Sequence, residues 1–68
     1  MSSIERSNYE FAKAVLSQTD EFTPDDIYQI LQAKGIDISF EGVKQGLKFY
    51  INRRIITQTS LSDTYVLK

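Results

Sequence analysis

The sequence predicts an α+β domain, mainly helical, built from three helices followed by a C-terminal β-hairpin. Three observations carry this. Apolar residues recur at helical spacing in three stretches, around Phe11 and Val15, around Ile27 and Leu31, and around Val43 and Leu47. Capping residues punctuate those stretches: Thr23-Pro24 and Ser39 stand before the second and third, and Gly35 follows the second. From Ile55 onward the pattern changes to β-branched residues with turn residues between two short runs.

The first helix lies in "IERSNYEFAKAVLSQ". Phe11 with Val15, and Ala12 with Leu16, are four apart and give one apolar stripe. Ser2 with Glu5, or Ser7 with Glu10, has the spacing of a capping box, and "TDEF" ends the helix. The second helix is the best marked. Thr23 is a good N-cap, Pro24 suits the first helical position, and Asp25 and Asp26 face the positive end of the helix dipole. Phe22 precedes the cap and staples onto Ile27. Ile27, Ile30 and Leu31 form the buried stripe, Lys34 falls in the last turn, and Gly35 is the C′ residue.

"IDI" then makes a short extended link, a candidate third strand for the hairpin. Ser39 caps the third helix, where Phe40, Val43, Leu47, Tyr50 and Ile51 share one apolar arc. Residues 55–59 read as a strand, "SLSD" as a turn, and "TYVLK" as the second strand. Helix, helix–link–helix and terminal hairpin in one domain spanning residues 1–68 is the layout of a winged helix-turn-helix, with the hairpin as the wing.

Composition narrows the chemistry. The 68 residues contain no cysteine and no histidine, which excludes disulfide staples, zinc sites built on nitrogen and sulfur, and histidine-based catalysis. No nucleophile–base constellation is present, so an enzyme is not expected, and neither is a cofactor or metal. Apolar runs are far too short for a membrane span or a signal-peptide core, so the expected setting is soluble and cytoplasmic. A domain of this size buries only about 60% of its unfolded surface, so stability is thin. Net charge is −1, but unevenly spread: residues 1–38 hold three cations against seven carboxylates, and residues 39–54 hold four against one. That asymmetry points to an anionic partner for the third helix.

The stretch "FTPDDIYQILQAKGIDISFEGVKQGLKFYINRRIIT" resembles the DNA-binding half of ferric uptake regulator proteins, and winged-helix repressors more broadly. In that family a Thr-Pro opens the second helix, a Gly-x-x-Ile-Ser link leads to a third helix with Val and Leu four apart, and an Ile-rich strand follows. Thr23, Pro24, Ile27, Tyr28, Leu31, Gly35, Ile38, Ser39, Val43, Leu47, Lys48, Phe49 and Ile56 stand in matching places, over roughly half the chain. They are mostly cap and core positions. Where the family has Thr-Val-Tyr-Arg, this chain has Gly42, Val43, Lys44 and Gln45, so Lys44 and Gln45 replace the pair that the family directs at DNA. Arg54 stands where the family's helix-ending glycine stands. A left-handed arginine is strained, so Asn52 or a longer helical end is expected to terminate the helix instead. The metal-binding dimerisation half has no counterpart here, and metal sensing is not implied.

On a helical wheel, Lys44, Gln45, Lys48, Asn52 and Glu41 form one exposed face of the third helix. Lys44 and Lys48 suit phosphates or guanine, Gln45 and Asn52 suit adenine or backbone, and the Ser39 hydroxyl suits a phosphate at the helix start. Glu41 counts against a nucleic acid, because it repels phosphate. A second face holds Gly42 and Gly46 flanked by Phe49 and Arg53. Two interior glycines cost about 2 kcal/mol together relative to alanine, which calls for a compensating close contact. Either the first helix or a partner supplies it. The wing segment "QTSLSDT" has no lysine or arginine and offers Asp63 and Leu61.

The leading expectation is a transcriptional regulator that binds double-stranded DNA, as a homodimer, through Ser39, Lys44, Gln45, Lys48, Asn52 and Arg53. The alternative is a winged-helix protein-interaction module, a regulatory subunit or an inhibitor of another DNA-binding protein, using Gly42, Gly46, Phe49 and Leu61.

Overall fold

The computed structural model describes residues 3–59 and 63–68. In chain order it has helices α1 (Ser3–Leu16), α2 (Pro24–Ala33) and α3 (Phe40–Asn52), then strands β1 (Ile56–Gln58) and β2 (Tyr65–Leu67). The strands form an antiparallel pair, with Ile56 opposite Leu67, Thr57 opposite Val66 and Gln58 opposite Tyr65. This is the topology of a winged helix-turn-helix.

Local chemistry sets the helix ends. At the start of α2 the Asp26 backbone N–H donates to Thr23 Oγ1 at 3.2 Å, and the Thr23 N–H donates to Asp26 Oδ2 at 2.9 Å. This reciprocal capping box satisfies two donors that a helix start leaves open. At the other end Gly35 has φ +73°, its N–H donates to the Gln32 carbonyl at 3.0 Å, and the Ile36 N–H donates to the Leu31 carbonyl at 3.0 Å. The two bonds make a Schellman motif, which needs a left-handed residue at its corner. Ser39 caps α3 by accepting from the Gly42 N–H at 3.0 Å.

The end of α3 differs from the sequence expectation. Arg54, not Asn52 or a longer helix, is the left-handed residue, with φ +61°. Its N–H donates to the Ile51 carbonyl at 2.9 Å, and the Ile55 N–H donates to the Tyr50 carbonyl at 3.0 Å. The same two-bond corner as at Gly35 is thus built on an arginine. Left-handed backbone costs a residue with a β-carbon about 1–2 kcal/mol.

One apolar cluster joins every element: Phe11, Ala14 and Val15 of α1, Phe22 just before α2, Ile27 and Leu31 of α2, Ile36 of the link, Val43 and Leu47 of α3, and Ile56 of β1, with Tyr65 and Leu67 of β2 packed against it. Phe22 also tethers the hairpin. It exchanges two backbone hydrogen bonds with Tyr65, at 2.9 and 2.8 Å. An isolated hairpin is marginal in water, and this bridge together with buried Ile56 fixes it to the helices. Phe22 therefore takes the third-strand place expected for "IDI". Residues 36–39 form no strand, although Ile36 points inward, Asp37 outward and Ile38 partly inward, as the alternation requires.

Two further expectations change. Leu16 is 58% exposed, because α1 buries its 11, 14 and 15 positions and the final residue turns away from that stripe. Ser7 and Glu10 lie inside α1 and form no cap. Glu10 instead meets Lys34 Nζ at 3.0 Å, while Arg6 Nη2 donates to the Lys34 carbonyl at 3.0 Å, so α1 is fastened to the end of α2. The Ser2 cap and the Leu61 wing position lie outside the described residues.

Candidate functional site

The exposed side of α3 carries Lys44, Gln45, Lys48 and Asn52 together, because Val43 and Leu47 hold the opposite side fully buried. Among the described residues no ion pair or hydrogen bond engages the side chains of Lys48, Gln45 or Asn52. Lys44 lies 5.8 Å over the Phe40 ring, which in turn meets Tyr28 edge-on at 5.8 Å. The cations of this face are therefore available to a ligand rather than neutralised within the chain.

The hairpin contributes to the same face. A depression of about 280 Å³ is lined by Glu41, Lys44, Gln45, Lys48, Ile51, Gln58 and Tyr65. Gln58 was not singled out from the sequence, yet strand periodicity accounts for it. Ile56 points into the core, so Gln58, two residues on, projects from the same side of β1 where the core runs out. Tyr65 is its register partner and stands on the same side. The negative side of the balance is also visible. Lys44 lines a second depression with Asp25 and Asp63, so carboxylates border one end of the basic strip.

The other flank of α3 holds the glycines. A β-carbon on Gly46 would stand 2.6 Å from Phe11 Cζ, and one on Gly42 would stand 3.0 Å from Ile38 Cγ1. The close approach that two interior glycines require is thus made to α1 at Gly46 and to the preceding link at Gly42. The flank is not fully covered. A groove of about 500 Å³ remains, lined by Asn8, Phe11, Ile38, Gly42, Gly46, Phe49 and Tyr50. Phe49 is 52% exposed at its rim, with the Arg53 guanidinium 4.7 Å above its ring. Arg53 thereby sits with Phe49, on a different flank from Lys44 and Lys48. Burial pushes the Tyr50 hydroxyl pKa above its usual value.

No family model, curated protein or solved structure matches the chain. The likeness to ferric uptake regulators read from the sequence is therefore not sustained at the level of that family; the topology supports a winged helix in general. Among the described residues no group of three or more metal-ligating side chains lies together, and no helix is long and apolar enough to cross a membrane.

Proposed function

We propose that the chain is a winged-helix DNA-binding protein, a transcriptional regulator that lays α3 in the major groove. The observation that carries this reading is the set of uncommitted polar side chains on one face of the second helix of a helix-turn-helix: Lys44, Gln45, Lys48 and Asn52. Lys44 and Lys48 contact phosphate or guanine, Gln45 and Asn52 read adenine or bind backbone, and Ser39 sits beside a phosphate at the helix start. The segment joining β1 to β2 carries Asp63 and no lysine or arginine, so the wing adds no phosphate neutralisation. With two to four phosphate contacts per chain, the logarithm of affinity falls with the logarithm of salt at a slope of roughly −2 to −4. Binding this weak per chain favours two copies on a two-fold site. A titration of duplex DNA at two salt concentrations tests the reading. Lys44→Glu with Lys48→Glu abolishes binding; a double variant that binds as well as the parent refutes this face.

A second reading rests on Phe49. Its half-exposed ring, beside an apolar groove, is a surface suited to another protein. In that reading the chain is a protein-interaction module and the acidic first half repels nucleic acid. Absence of duplex binding at low salt, with a fold unchanged by Phe49→Ala but a partner complex lost, supports it.

A further inference from the structure

The chain contains the same helix-ending corner twice, and treats it differently. At the end of α2 the left-handed position is Gly35, and at the end of α3 it is Arg54. Both corners use the same pair of backbone bonds, so both need the positive φ. Glycine adopts it freely, and arginine does not. The fold gains nothing visible in exchange. The Arg54 side chain is exposed, and among the described residues no ion pair, hydrogen bond or ring contact engages it. The surrounding sequence is also free of negative charge: from Gly42 to Ser62 there is no aspartate or glutamate, while Lys44, Lys48, Arg53 and Arg54 all lie there. Strain that persists without an internal compensation marks a position kept for something outside the fold.

We propose that Arg54 is a phosphate-contacting residue at the α3–β1 corner, retained there at the expense of stability. The assignment rests on the nucleic-acid reading above and extends it to a residue off the helix face. Arg53 has its guanidinium on Phe49, whereas that of Arg54 is free to meet a backbone phosphate where the chain leaves the helix for the wing.

The test compares the parent chain, Arg54→Gly and Arg54→Lys for thermal unfolding and for titration of mixed-sequence double-stranded DNA at several salt concentrations. Arg54→Gly is expected to melt higher, by roughly 4–8 °C. It is also expected to bind severalfold more weakly, with a salt slope shallower by about 0.9. Arg54→Lys is expected to keep the parent's slope without the gain in melting temperature. An unchanged slope in Arg54→Gly overturns the assignment while leaving duplex binding through α3 intact. A lower melting temperature in Arg54→Gly also overturns it, since the arginine would then serve the negative end of the α3 dipole. A slope lost in Arg54→Lys overturns a role based on charge. If the parent chain binds no duplex at low salt, the nucleic-acid reading itself fails and takes the assignment with it.

Discussion

Gly46 and Phe11 occupy one another's space: a β-carbon at residue 46 would fall 2.6 Å from Cζ and 2.9 Å from Cε2 of the phenylalanine ring. The ring is 7% exposed and tilts against Tyr50 at a centroid distance of 5.6 Å, so it has little room to yield. Gly46→Ala gains helix propensity of about 1 kcal/mol but forces this contact apart, and overpacking of a core costs about 1–3 kcal/mol. The expected outcome is net destabilisation, read as a lower denaturant midpoint, with recovery in Gly46→Ala/Phe11→Leu. Gly42→Ala meets Ile38 Cγ1 at 3.0 Å and the capping Ser39 Oγ at 3.3 Å, and is expected to cost less. Equal costs at the two glycines would contradict this account of α1 packing.

The capping box at Thr23 and Asp26 is expected to contribute measurably in so small a domain. Thr23→Ala removes the acceptor for the Asp26 N–H and should lower stability by about 1 kcal/mol. Thr23→Ser, which keeps the oxygen, should lose much less. Chemical denaturation of the two variants separates the hydrogen bond from the methyl group.

Glu10 gives the fold a definite acid response. Its contact with Lys34 lowers its pKa below the usual 4.5, against the opposing effect of burial, and the charges of Lys34, Lys13 and Arg6 act in the same direction as the contact. A carboxylate whose pKa is lower folded than unfolded adds stability above its unfolded pKa, and that stability is lost as pH falls through the folded value. Stability should therefore decline as pH falls below about 4.5. Glu10→Gln should show a smaller decline across that window. Denaturant midpoints at pH 6 and pH 3 provide the measurement; parallel profiles for parent and variant would rule out the pair as a source.

Phe49 and the lysine face are expected to be separable. Phe49→Ala removes a half-exposed ring and its contact with Arg53, a cation–π pair worth about 0.5–1 kcal/mol at an exposed site. Monomer stability should change little. If the groove beside Phe49 joins two copies, the variant sediments as a monomer at concentrations where the parent does not. The Lys44 and Lys48 variants should leave that mass unchanged.

Much of this architecture was legible in the sequence, because the signals that set it are local. Thr23-Pro24, Gly35 and Ser39 fix helix ends through bonds spanning only three to five positions, and the spacing of Ile27, Leu31, Val43 and Leu47 fixes which side is buried. The exposed set of Lys44, Gln45, Lys48 and Asn52 followed from the same periodicity. What failed depended on partners distant in sequence. Leu16 matched the spacing of a buried stripe and lies outside it, and "IDI" matched a strand whose place Phe22 takes by pairing with Tyr65. Only the packing of α1 decided that Phe11 fills the space above Gly46. Only the hairpin placed Gln58 beside the lysines. Local rules also disfavoured a left-handed Arg54, yet the turn from α3 into β1 imposes it, because the closing bonds to Ile51 and Tyr50 require that backbone whatever side chain is attached.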